Sequence, residues 1–129
     1  MTGRHLLIVA HGSRRGASND EVRALGARIR ELGDPALEHV DVAFLELAEP
    51  SIPEALARLA TAGAREIVVF PHFLAAGTHV AQDIPAALLD FQAKNPDILV
   101  RLTPHLGASP SLAGTILEVT RGWSLNFEF

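Results

Sequence analysis

Cysteine is absent from the 129 residues. That absence excludes disulfides, thiolate zinc sites, cysteine-ligated iron–sulfur clusters and cysteine nucleophiles together. No apolar run approaches the roughly 20 residues that a membrane-crossing helix needs. The opening MTGRHLLIVA has too short an apolar stretch for a signal peptide and reads as a first strand. Neither GxGxxG nor a Walker loop occurs, so no nucleotide cofactor is expected. Basic residues are not in excess: the formal net charge is −4, whereas nucleic-acid partners call for concentrated Lys and Arg. That balance still allows an anionic small molecule held by a few local arginines. No low-complexity segment and no Pro/Gly/Ser-rich linker divides the chain. What remains is 48% hydrophobic and 20% charged, the composition of a globular protein. One domain over residues 1–129 is expected, in the cytoplasm, with no membrane and no nucleic acid as partner.

Four apolar runs alternate with four helical patterns. HLLIVA (5–10), VDVAFLE (40–46), EIVVFP (66–71) and ILVRLTP (98–104) read as strands. The first and third are almost continuously apolar, as parallel strands covered on both faces are. Ser18 followed by Glu21 has capping-box spacing, with Val22, Leu25, Ile29 and Leu32 on one helical face and Gly33 as the stop. Ser51 followed by Glu54 repeats the spacing, with Pro53 in the first turn, an apolar stripe of Ile52, Ala55, Leu56 and Leu59, and Gly63 at the end. A third helix starts near Asp83 or Ile84, turns Leu88 and Phe91 inward and stops before Pro96. A fourth starts at Ser109-Pro110, with Leu112, Ile116 and Val119 on its buried face. The alternation predicts an α/β fold: an open parallel sheet of about four strands, helices on both faces and right-handed crossovers. A flavodoxin-like winding is expected, with the first strand interior. Alternation alone does not fix the strand order.

Such sheets bind ligands beyond the C-terminal ends of their strands. His11 follows the first strand there, Glu46 and Glu49 follow the second, His72 and His79 the third, and His105 the fourth. His5 and His39 begin strands and map to the opposite edge. Any one loop histidine is ordinarily just a solvated side chain. Several imidazoles and carboxylates on one rim are the raw material of a divalent-metal site with nitrogen and oxygen ligands, suited to iron, cobalt, nickel, copper or zinc. The spacing matches neither a zinc finger nor HExxH. Glu46, at the end of a buried strand, weighs more than Glu49, which lies where a helix N-terminus favours negative charge.

Around His11, Gly12 and Gly16 permit a tight turn. Ser13, Arg14, Arg15 and the following helix N-terminus suit carboxylates or phosphates, though a solvated turn with surface arginines fits equally. The stretch FPHFLAAGTHV (70–80) joins Phe73, Leu74, Gly77 and Thr78 to His79, an apolar wall suited to a flat ligand. Its plainer reading packs Phe73 and Leu74 into the core.

VAHGSRR (9–15), FLELAEPSIPEAL (44–56) and IVVFPHFLAAGTHVAQDIP (67–85) resemble the small sirohydrochlorin chelatases, and the match runs in order from about residue 5 to about residue 105. The resemblance implies a class II, lyase-type chelatase with a flavodoxin-like lobe. It implies that His11 and His79 bind the metal and that Glu46 assists. It further implies a homodimer, since the chain is one lobe long and larger members carry two. His72 and His105 are not required by that pattern. On this reading a divalent metal (cobalt, iron or nickel) is a substrate and sirohydrochlorin the acceptor, without ATP. Ser13, Arg14, Arg15, Phe73, Leu74, Gly77 and Thr78 would then contact the macrocycle. A non-catalytic metal or tetrapyrrole carrier using the same rim is the alternative. A phosphate-handling enzyme built on HGSRR is weaker, because Ala10 stands where histidine phosphatases place an arginine. The C-terminal GWSLNFEF (122–129) carries three aromatics that suit either a dimer contact or a tail packed on its own sheet.

Overall fold

A computed structural model describes residues 3–122. Its strands are β1 (Arg4–Ala10), β2 (His39–Phe44), β3 (Glu66–Pro71) and β4 (Leu99–Leu102). Its helices are α1 (Gly16–Glu31), α2 (Ile52–Thr61), α3 (Ile84–Lys94) and α4 (Leu112–Gly122). All strand pairs are parallel, in the order β2-β1-β3-β4. The first strand is therefore interior, as expected, with a neighbour on each side.

Alternation along the strands sends side chains to two faces. Leu7, Val9, Ala43, Ile67 and Val69 form one buried cluster with Ile52, Leu56 and Leu59 of α2 and Ile84, Leu88 and Phe91 of α3. The opposite face receives α1. There Gly26 lets the helix come close, because a Cβ on it would lie 2.9 Å from Val42 Cγ2. The capping box of α2 forms as the sequence implies: Glu54 N donates to Ser51 Oγ (3.2 Å), and Ser51 N donates to Glu54 Oε1 (3.5 Å). Gly33 and Gly63 end their helices with φ of +67° and +87°, a region that glycine enters without a Cβ penalty.

Four expectations are corrected. The α1 capping box does not form: the helix starts at Gly16 with Arg15 as its N-cap and no side-chain cap. Asn19 is buried instead and bonds Ser13 from both sides. Leu32 is 83% exposed, since the helix ends at Glu31 before that position can turn inward. Strand β2 stops at Phe44, not at residue 46, because Phe44 N turns back to Pro50 O and Leu47 takes φ +64°. Helix α4 starts at Leu112 rather than at Ser109-Pro110, and it buries none of its residues; Ile116 and Val119 are more than half exposed. The aromatic tail lies outside the described residues. No described helix is long and apolar enough to cross a membrane.

Candidate metal and macrocycle site

The parallel register sets the site. β1 ends at Ala10 opposite Phe44, and the pairing runs on past both strands: Leu45 N donates to Ala10 O (2.9 Å) and Glu46 N to His11 O (3.1 Å). Backbone bonds thus bring His11 and Glu46 side by side across two chain segments. Their side chains complete the contact, with His11 Nε2 2.9 Å from Glu46 Oε1. An ionised carboxylate only accepts, so Nε2 is the donor in this bond, and in the neutral imidazole that assignment puts the lone pair on Nδ1. A carboxylate that fixes the tautomer of a metal-binding imidazole is a recurrent arrangement. Both side chains are about half exposed, at 48% and 56%. Glu46 therefore does not end a buried strand, as the sequence suggested; it lies on the turn after β2 and is half exposed.

Gly12 makes this approach possible. It has φ +94°, and a Cβ on it would fall 1.7 Å from the carbonyl oxygen of Glu46. Gly16, by contrast, has open space around it and an ordinary φ, so only the first glycine is required by geometry. Ser13 is committed to the turn: its hydroxyl accepts from Arg15 N (3.0 Å), while its proton remains available to a ligand. Arg14 and Arg15 are exposed, on the loop that leads from His11 into α1.

An open cavity of about 310 Å³ lies beside the pair, lined by His11, Glu46, Leu45, Ile52, Pro53 and Asp83. Asp83 was missed by sequence reasoning, which used it only as a helix start. Its signal was the HxxxD spacing from His79, about one helical turn. His79 opens a π-helical turn, His79–Asp83, that runs straight into α3. Such turns are frequent at functional sites. The imidazole of His79 lies outside the described side chains. Among the described residues, no three His, Asp or Glu side chains are grouped closely enough to hold a metal ion; what is described is a pair.

Phe73 packs against the core cluster and meets His11 edge-on, with ring centroids 6.5 Å apart. Leu74 is 71% exposed and Gly77 and Thr78 are exposed too. The plainer packing reading therefore holds for Phe73 and fails for Leu74. Gly107 N donates to Phe73 O (3.0 Å), which ties this loop to the segment after β4. His72 is half buried, its Nδ1 has no hydrogen-bond partner among the described residues, and burial pushes its imidazole below the usual 6.5. His105 caps the short 3-10 turn Leu106–Ala108. Glu49 contributes its backbone carbonyl, to Arg23. At the opposite edge the His5 and His39 rings lie with centroids 4.7 Å apart, tilted by 48° to each other. There burial, then the neighbouring His39, lowers the His5 imidazole, with Glu38 and Asp41 acting against them.

A family model described as CbiX matches residues 5–121. The sirohydrochlorin cobaltochelatase of Methanopyrus kandleri is 42% identical over 133 residues, covering 88% of this chain and 92% of that one. The chloroplastic sirohydrochlorin ferrochelatase of Arabidopsis thaliana is 38% identical over 103 residues, covering 79% of this chain and 44% of the relative. Among solved structures, the CbiX protein of cobalamin (vitamin B12) biosynthesis from Marinobacter aquaeolei superimposes with a TM-score of 0.79 at 29% identity, covering 92% of this chain and 95% of that one.

Proposed function

The chain belongs to the CbiX family, and from that membership we propose that it is an enzyme inserting a divalent metal, Co²⁺ or Fe²⁺, into sirohydrochlorin. The observation that carries the proposal is the His11–Glu46 pair, bonded at 2.9 Å on the rim of an open cavity at the C-terminal edge of the sheet.

The reaction exchanges one M²⁺ for two pyrrole N–H protons, so it needs a ligand that releases metal and a base that takes protons. His11 offers Nδ1 to the incoming ion while Glu46 holds Nε2–H. Imidazole and carboxylate donors suit Co²⁺, Fe²⁺ and Ni²⁺ alike, so nickel belongs among the metals to be assayed. As the ion passes to the macrocycle, the pair is left beside the two departing protons: Glu46 and the freed His11 imidazole are the acceptors in reach, each taking one and passing it to solvent. His79 is proposed as the second metal ligand. Arg14 and Arg15, with Ser13, are proposed to hold the peripheral carboxylates. Phe73, Leu74, Gly77 and Thr78 are proposed to form the wall on which the ring lies. No ATP enters this scheme.

We further propose a cytoplasmic homodimer of single-lobe chains. The exposed apolar side chains of Leu89 on α3, Leu99 and Leu102 on β4, and Ile116, Leu117 and Val119 on α4 support it. Leu89 and Leu102 line one apolar groove, and exposed apolar surface beyond scattered single residues marks interaction sites. Light scattering at micromolar concentration should give twice the chain mass; a stable monomer removes the dimer.

The decisive experiment is metallation of sirohydrochlorin followed by visible absorbance, with Co²⁺, Fe²⁺ and Ni²⁺. Multiple turnover is expected for the wild type, and loss of it for His11→Ala and His79→Ala. A single stoichiometric binding event without turnover would make the chain a carrier. Undiminished turnover in His11→Ala would remove His11 from the mechanism.

A further inference from the structure

The segment that carries Glu46 is a tight excursion between β2 and α2. Its outgoing limb is sewn to β1 by the amides of Leu45 and Glu46. Its return limb closes on Phe44, whose amide donates to Pro50 O (2.9 Å). Leu47 at the tip has φ +64° and is 55% exposed. Leu45 packs against the core at the base of the turn, but the tip beyond it carries a left-handed, exposed leucine, and an outside hold keeps a carboxylate there in one place.

Arg23 supplies that hold from α1. Its Nη2 donates to the carbonyl of Glu49 (2.9 Å) and its Nη1 to Asp20 Oδ1 (2.9 Å). Its guanidinium lies over the ring of Phe44, 5.0 Å from the centroid. Phe44 is fully buried and is the last residue of β2. One planar group therefore grips both ends of the excursion, the ring where it leaves the strand and the carbonyl where it returns. Asp20, one helical turn earlier, fixes the fork. A guanidinium does this and an ammonium does not, because only the former combines a flat stacking face with divergent N–H donors.

We propose that Arg23 is a positioning residue for metal insertion: it locks the 45–50 turn so that Glu46 stays on His11. It touches neither metal nor macrocycle. The proposal rests on the chelatase reading for its effect on turnover but not for its effect on the His11–Glu46 pair. Outer partners of this kind typically affect metal affinity or activity by 10–100-fold. The lower end is expected here, because the backbone bonds of Leu45 and Glu46 remain.

The test is a double-mutant cycle in the full chain with Arg23→Ala, Glu46→Gln and the pair. If Arg23 acts through Glu46, Arg23→Ala lowers kcat about tenfold with KM for sirohydrochlorin nearly unchanged. Added to Glu46→Gln, it then costs less than about twofold more. A role confined to general stability would give additive losses, and that result overturns the proposal. Arg23→Lys keeps the charge but places its donors on one nitrogen without the flat fork, and should fall between wild type and Arg23→Ala; it also serves if the alanine variant does not fold. A second readout needs no turnover. The His11 ring resonances, followed by NMR in the metal-free protein, should move in Arg23→Ala in the direction seen for Glu46→Gln. Unmoved resonances in a folded variant refute the proposal even if the chain metallates sirohydrochlorin. Moved resonances without any metallation sustain it and count against the chelatase reading alone.

Discussion

Replacing Gly12 by alanine tests how far the first turn governs the site. The native backbone there has φ +94°, and the added Cβ would sit 1.7 Å from the carbonyl oxygen of Glu46, where real Cβ atoms essentially never come within 3.0 Å of another atom. Two costs follow. Holding a non-glycine residue at such a φ costs roughly 1–3 kcal/mol. Relieving the overlap then requires the 45–50 turn or the 11–14 turn to retreat by more than 1 Å. The first cost is a fraction of the roughly 5–15 kcal/mol by which domains are stable, so the variant should fold. The second separates His11 from Glu46, and a misplacement of about 1 Å at a reacting group is worth on the order of 100-fold in rate. Initial metallation rates should therefore fall on the order of 100-fold, with a urea midpoint lowered but a cooperative transition retained. Gly16→Ala, in open space at the start of α1, is the control and should change neither. A folded Gly12→Ala protein that metallates within about threefold of wild type would refute the claim that this contact sets the pair, since such a change is under 1 kcal/mol of transition-state stabilisation.

Other expectations concern stability. Leu56→Ala removes a fully buried side chain from the α2 side of the cluster and should cost about 2–5 kcal/mol in denaturant unfolding. Ser51→Ala removes the hydroxyl that caps α2 and should cost about 1 kcal/mol, leaving kcat close to wild type. Burial lowers the imidazoles of His5 and His72 below the free value of 6.5. For each, the unfolded chain takes up a proton first as pH falls. The stability they contribute is thus complete above about pH 6.5 and lost below it, down toward their folded values. Urea midpoints should decline between pH 7.5 and 5, and less steeply in a His5→Phe variant. Glu66 is held below the usual carboxylate range by its hydrogen bonds to Arg4 and then Arg101. Glu66→Gln should flatten the further decline at lower pH, where its carboxylate would otherwise take up a proton.

The strands were legible because β1 is buried along most of its length, and β3 buries every second residue and leaves the others only partly exposed, so both read as nearly unbroken apolar runs. The Ser51–Glu54 cap was legible because both of its partners are local. The same motif misled at Ser18–Glu21. There a competing choice won: Asn19 bonds back across the loop to Ser13, and the helix begins three residues earlier, capped at Arg15. The rim histidine at position 11 followed from the rule that parallel sheets bind ligands at their C-terminal edge. Glu46 was picked correctly for the rim but on a wrong premise, since its strand ends two residues before it. Asp83 had a local signal in its one-turn spacing from His79, but Arg23 had none: it matters only through Phe44 and the Glu49 carbonyl opposite it in space, and no periodicity records that. The exposure of α4 was equally hidden, because an apolar stripe shows that a helix face wants cover, not which surface provides it.

The strand order has a consequence for how the chain acquires its shape. β1 is made first, yet it lies between β2 and β3, so its second edge stays open until Glu66–Pro71 has been synthesised. Until then a seven-residue, mostly apolar strand has a neighbour on one side at most. Contacts of such long sequence separation slow folding and prolong the exposure of sticky intermediates. A chain truncated shortly before residue 66 should therefore be prone to aggregation rather than form a stable half. By the same logic His11, at the end of the first of these four strands to be made, gains its final surroundings only after β2, β3 and the loops that follow them are in place.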